Sequence, residues 1–173
     1  ASDALGFDLW ALTQNDQAAL NQTQNTQPAM LAAGVATYRA LTSEAALSPV
    51  CMAGHSLGEY SALVAAGALN FSDGIGLVRT RAQLMQSAVP EGVGAMAAIL
   101  GLEDEVVVKV CSDYAGEGIV QAVNFNSNGQ VVIAGNKAAV DATCEAMKAA
   151  GAKRAVVLPV SVPSHCSLMD DAA

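Results

Sequence analysis

Pro49-Val50-Cys51-Met52-Ala53-Gly54-His55-Ser56-Leu57-Gly58-Glu59-Tyr60-Ser61-Ala62-Leu63 changes character twice along its length. Pro49 to Ala53 is a short apolar run that reads as a strand, and Glu59 to Leu69 has the helical spacing of Tyr60, Leu63, Val64 and Gly67. Between them stands Gly54-x-Ser56-x-Gly58, a serine flanked by two glycines on a sharp turn. Strand, tight turn and helix form the setting in which this pattern lifts a serine hydroxyl into reach as a nucleophile. The following helix adds backbone N–H groups and the positive end of its dipole beside that serine. A strand that feeds a helix in this way points to an α/β fold.

Upstream, residues 4–20 and 26–43 read as helices, the second opening at Thr26-Gln27-Pro28 with a capping residue before an early proline. Downstream, a helix opens at Ser72-Asp73 and ends before Pro90. At 100° per residue its polar side gathers Arg79, Thr80, Gln83, Gln86 and Ser87. Arg81 falls inside the opposite, apolar arc formed by Ile75, Leu77, Val78, Ala82, Leu84, Met85, Ala88 and Val89. A guanidinium there needs an anion, either a protein carboxylate or one carried by a substrate.

After the flexible stretch Pro90 to Gly94 the pattern becomes strand Gly94 to Leu102, helix Glu103 to Ala115 and strand Ile119 to Asn126. The Asn128-Gly129 turn then leads to strand Gln130 to Ala134, helix Asn136 to Ala150 stopped by Gly151, and strand Arg154 to Val160. This β-α-β-β-α-β order is that of a ferredoxin-like small subdomain, complete in itself. The expected organisation is residues 1–91 as part of a large subdomain carrying the serine turn and 92–160 as the inserted small subdomain. Residues 161–173 return to the large one.

Composition narrows the function classes. The 173 residues are 53% apolar and 14% charged, which fits a chain with a buried core. The longest apolar runs, Val93 to Leu102 and Ala62 to Leu69, are shorter than the roughly 20 residues a bilayer span needs, and no export signal is read. A net charge of −8 argues against nucleic acid as a partner. Cys51, Cys111, Cys144 and Cys166 form no C-x-x-C pair, so no metal site is expected and the thiols read as reduced and mostly buried, in a cytoplasmic protein.

His55 and His165 are the only two histidines, and they bound the choice of base at neutral pH. Adjacent residues on a tight turn tend to point apart, so His55 is a poor base for Ser56 and reads as a supporting hydrogen-bond group. His165 follows Val160-Ser161-Val162-Pro163, where the chain leaves the small subdomain; it is either the base or a surface histidine. Cys166 has no such turn around it and reads as a small buried residue. A serine hydrolase shares this turn and would draw an acid from Asp113 or Asp141, both poorly placed in the small subdomain, while a non-catalytic docking module would dispense with Ser56 and His165. Lys109, Lys137, Lys148, Lys153 and Arg154 could supply a local basic patch for an acidic partner.

Gly54-His55-Ser56-Leu57-Gly58-Glu59-Tyr60, Arg81, Gly94-Ala95-Met96-Ala97-Ala98, Asn124-Phe125-Asn126-Ser127 and Val162-Pro163-Ser164-His165 together resemble the malonyl-CoA:acyl carrier protein transacylases of bacterial fatty-acid synthesis. The resemblance runs along all 173 residues. It implies an α/β-hydrolase-like large subdomain, incomplete here, with the ferredoxin-like one inserted. It also implies Ser56 as the acylated nucleophile, His165 as its base, the Leu57 N–H as an oxyanion donor and Arg81 as the holder of the malonyl carboxylate. Gln27 and Met85 match pocket-lining positions, Asn124 and Asn126 a small-subdomain segment near the cleft, and His55 the motif histidine that is not the base. The implied substrates are malonyl-CoA and the phosphopantetheine thiol of acyl carrier protein, with no bound cofactor, no membrane and a monomeric state. The family's N-terminal Gly-Gln-Gly-Ser-Gln strand-loop and its C-terminal part are not found in the sequence, which looks like a middle fragment expected to have little activity alone.

Overall fold

The computed structural model describes residues 1–160 and 162–173, which divide into two units, Ala1–Gln83 and Leu84–Ala173. In the first unit, acidic and glycine residues break the expected helix over 4–20 into three: α1 (Ser2–Leu5), α2 (Leu9–Asn15) and α3 (Gln17–Leu20). Gly6 ends α1 in a left-handed conformation at φ 75, and the Asp8 and Asp16 side chains accept from the Ala11 and Ala19 amides, each starting a new helix. Side-chain capping won over helix propagation.

α4 (Thr23–Glu44) begins three residues before Thr26, so Pro28 lies inside the helix and not at its first position. The Asn25 amide donates to the Ala19 carbonyl at 3.0 Å and the Thr26 hydroxyl to the Leu20 carbonyl, which ties this start to the end of α3. The expected strand over 49–53 is not formed. A strand exists only with a partner ladder, no described residue pairs with 49–53, and Val50 is fully exposed.

α5 (Leu57–Ala65) starts directly after Ser56 and closes at Gly67, φ 75. α6 (Phe71–Ala88) is capped by Asn70, whose side chain accepts from the Ser72 amide at 2.9 Å, two residues earlier than the Ser72-Asp73 signal. Leu31 and Val35 of α4 and Ile75 and Val78 of α6 form the core of this unit, with Tyr60 and Val64 of α5 packed against them. Burying each such aliphatic side chain stabilises by roughly 1.5–3 kcal/mol. Leu77 and Leu84, placed in the same arc, are about half exposed.

The second unit holds a four-stranded sheet of β1 (Gly94–Leu100), β2 (Val120–Ser127), β3 (Gln130–Asn136) and β4 (Arg154–Val157), ordered β2-β3-β1-β4 with every neighbouring pair antiparallel. α7 (Asp104–Ser112) follows β1 and α8 (Lys137–Ala149) follows β3. Ala97 and Ile99 of β1 and Val131 and Ile133 of β3 meet Val107 of α7 and Val140 and Met147 of α8. The alternate residues Met96, Val132 and Ala134 bury against Cys166. Both faces are therefore covered, which is why β1 is an unbroken apolar run with no polar alternation. Asn128-Gly129 makes the expected two-residue hairpin, with Gly129 at φ 71 and Ser127 paired to Gln130. β4 ends at Val157, short of residue 160. No helix among the described residues is long and apolar enough to cross a membrane.

Candidate active site

Gly54 makes the serine turn possible. A Cβ at position 54 would lie 1.9 Å from the Gly58 carbonyl carbon, a separation no side chain tolerates, whereas one at Gly58 would meet nothing within 4 Å. The Gly58 amide donates to the His55 carbonyl at 2.9 Å and the Glu59 amide to the Ser56 carbonyl at 3.2 Å, closing the turn into α5. Ser56 is left at φ 52, ψ −114, a region that costs a non-glycine residue on the order of 1–3 kcal/mol. Its hydroxyl does not cap α5, and Leu57 opens the helix with first-turn amides that have no intrahelical acceptor.

Three helices meet at the Arg81 guanidinium beside that hydroxyl. Arg81, on α6, donates from Nη2 to Ser56 Oγ at 3.2 Å and from Nη1 to Gln27 Oε1 at 2.7 Å. Its guanidinium carbon lies over the Tyr60 ring of α5, 5.8 Å from the centroid. Gln27, on α4, is 7% exposed. The salt bridges among the described residues are Lys109–Asp113, Lys137–Asp141 and Lys148–Glu145, all exposed on helices of the second unit. None reaches Arg81. Its positive charge is met by an amide oxygen, a hydroxyl and a π face, and among the described residues by no carboxylate.

His165 lies in the second unit, on a turn held by its neighbours. Val162 packs with Met85, Val89 and Met169, and Cys166 with Met96 and Val132. Pro163 occupies the space a Cβ at Gly94 would need, 2.4 Å from the proline Cγ. The Ser164 amide donates to the Val162 carbonyl at 3.0 Å, and the Ser167 amide to Gln121 Oε1 at 2.8 Å. The result is an exposed imidazole on a residue at φ 69. Among the described residues, Ser56 and His165 are the two non-glycine positions with positive φ.

The Cys166 thiol donates to the Pro163 carbonyl at 3.1 Å, and burial pushes its pKa up, so it is a poor thiolate source despite adjoining His165. Asp113 and Asp141 are each engaged by a lysine four residues away on their own helix. Lys109, Lys137 and Lys148 are likewise neutralised, which leaves Lys153 and Arg154 of the basic group without an ion pair among the described residues. His55 is exposed on the turn, Met85 is buried in a core cluster, and Asn124 and Asn126 lie on β2, the first half-buried and the second exposed. Thus Gln27, Ser56 and Arg81 come together in the first unit, and Met85, Asn124, Asn126 and His165 lie in the second. Tyr60, read from the sequence only as part of an apolar stripe, joins the Arg81 group. Its signal was its place four residues after Ser56, one helical turn along the same face.

A family model described as an acyl transferase domain matches residues 2–173. The malonyl CoA-acyl carrier protein transacylase of Escherichia coli (strain K12) is 60% identical over 174 residues, covering 100% of this chain and 56% of that protein. The same-named protein of Haemophilus influenzae is 59% identical over 175 residues, again covering 100% and 56%. Among solved structures, the malonyl CoA-acyl carrier protein transacylase of Coxiella burnetii is similar with a TM-score of 0.95 and 51% identity, over 99% of this chain and 55% of that one. A complex of a type II polyketide acyl-carrier protein with its malonyl-transacylase gives a TM-score of 0.93 and 57% identity, over 99% and 56%. The chain spans little more than half the length of these relatives.

Proposed function

Because the chain belongs to the acyl transferase domain family, we propose that it transfers a malonyl group from malonyl-CoA to the phosphopantetheine thiol of an acyl carrier protein through a malonyl-Ser56 ester. The observation that carries this is Arg81: a guanidinium with no carboxylate partner among the described residues, 3.2 Å from the hydroxyl of a serine held at positive φ. A carboxylate two bonds from an acyl carbon fits that spacing, and a fork of N–H donors matches it in charge and shape.

In the first half-reaction the Ser56 oxygen bonds to the thioester carbon as its proton passes to His165. Negative charge gathers on the former carbonyl oxygen, where the Leu57 N–H donates. The carbon–sulfur bond then breaks and coenzyme A leaves as a thiol, taking the proton from His165. In the second, the carrier's thiol gives its proton to His165 and its sulfur bonds to the acyl carbon of malonyl-Ser56; the carbon–oxygen bond then breaks and His165 returns the proton to the Ser56 oxygen, restoring both groups. Gln27 holds Arg81 in place, Asn124 and Asn126 belong to the small-subdomain wall near the cleft, Met85 lines the acyl pocket, and His55 supports the turn without serving as base. Lys153 and Arg154 are the charges that suit an acidic carrier. No cofactor takes part.

The strand order of the second unit supports the ferredoxin-like reading of 92–160; the α/β-hydrolase-like large subdomain proposed for 1–91 and 161–173 rests on the family resemblance, and position 161 itself lies outside the described residues. Incubation with malonyl-CoA followed by peptide mass spectrometry tests the chemistry. A malonyl adduct on Ser56, absent in Ser56→Ala and discharged faster by pantetheine than by water, is expected. An adduct elsewhere would refute the proposal, and discharge by water at the same rate would make the protein a hydrolase.

A further inference from the structure

The group around Arg81 contains one member whose chemistry the transfer itself does not call on. Tyr60 sits on α5 one turn beyond Ser56, and its ring is fixed from behind by the core of Leu31, Val35, Ile75 and Val78. The Arg81 guanidinium lies over the face of that ring while donating to Gln27 at 2.7 Å and to Ser56 at 3.2 Å. A long arginine side chain has many rotamers, and a carboxylated substrate would have to freeze them on binding. A ring face attracts a cation without cancelling its charge, whereas a protein carboxylate in the same place would neutralise the group meant for the substrate. An aromatic side chain packed on the core is therefore suited to hold Arg81 still and leave it cationic.

Resting on the transacylase function above, we infer that Tyr60 is a positioning residue for substrate choice: its ring holds the Arg81 guanidinium beside the Ser56 hydroxyl and thereby raises selectivity for carboxylated over uncharged acyl groups. The phenol oxygen has no part in this. Tyr60→Phe keeps the ring, while Tyr60→Leu and Tyr60→Met keep apolar bulk against the core and remove the π face.

The test is a competition between equal concentrations of malonyl-CoA and acetyl-CoA, read as the ratio of malonyl to acetyl adduct on Ser56 by mass spectrometry. The ratio should fall roughly 2–5-fold in Tyr60→Leu and Tyr60→Met, the range of one partly exposed cation–π contact, and stay near wild type in Tyr60→Phe. A second readout needs no turnover: the Arg81 side-chain N–H resonance should carry a ring-current shift in wild type and Tyr60→Phe that Tyr60→Leu loses. An unaltered ratio in both aliphatic variants, at a wild-type unfolding midpoint, overturns the role of Tyr60 alone. So does an equal fall in Tyr60→Phe, which would assign the effect to the hydroxyl. A wild-type protein that takes neither acyl group on Ser56 overturns the transacylase function and the selectivity claim with it, and the resonance shift separates that result from a failure of the ring contact.

Discussion

Replacing Arg81 by alanine should separate two effects, the carboxylate binding proposed for it and its hydrogen bond to Gln27. The first concerns substrate. Hydrogen bonds to a charged partner contribute about 1.5–3 kcal/mol, and each 1.4 kcal/mol is tenfold, so malonyl acylation of Ser56 should fall roughly 10–150-fold relative to acetyl acylation. The second concerns the fold. Gln27 is 7% exposed and its Oε1 accepts from Arg81 at 2.7 Å, so Arg81→Ala removes a charge-assisted hydrogen bond from a buried amide at a cost of about 1–3 kcal/mol. No ion pair among the described residues is broken, because none is made to Arg81. Pairing Arg81→Met with Gln27→Leu removes both polar partners, and should recover most of the lost stability without recovering malonyl selectivity. The assays are single-turnover adduct formation with each thioester and urea unfolding of each variant. Equal loss with both acyl donors would refute the carboxylate role. A double variant no more stable than Arg81→Ala would refute the account of Gln27.

Two further expectations concern the turn and the thiols. Gly54→Ala should abolish acylation and lower the unfolding midpoint, because its Cβ would sit 1.9 Å from backbone, while Gly58→Ala should fold with near-normal stability; identical behaviour of the two would contradict the turn geometry. Alkylation at pH 8 should label exposed Cys51 well before buried Cys111, Cys144 and Cys166, whose pKa values burial raises, Cys111 to about 11. The unfolded Cys111 thiol ionises near its ordinary value of 9.0, so the native state should lose stability as pH climbs from there toward 11. Cys111→Ala should flatten that loss in alkaline unfolding curves.

What could be read along the chain was what local chemistry decides. The second unit was legible because its punctuation is local: Asn128-Gly129 sets a hairpin, Gly151 stops a helix, and apolar runs of strand length stand between amphipathic helices. The strand over 49–53 was not, since apolar residues state a willingness to pair and a strand requires the partner. Asp8 and Asp16 look like ordinary polar positions of one long helix until their carboxylates are seen to cap the next turn. Pro28 resembled a helix start, and the start moved upstream because Asn25 and Thr26 bind carbonyls at the end of α3. At the site, the helical arc exposed Arg81 as a charge in want of a partner. That the partners would be Gln27, Ser56 and a ring was hidden, because they come from α4 and from the start of α5, far from Arg81 in sequence, and Tyr60 resembles core.

The two positive-φ residues, Ser56 and His165, have a consequence for anyone redesigning this protein. Backbone energy at both positions favours glycine, by an amount on the order of 1–3 kcal/mol each. A library screened for thermostability alone would thus be rewarded for replacing Ser56 and His165 first, and under the proposed function its best survivors would be inert. Any selection on this scaffold has to score chemistry and heat resistance in the same round.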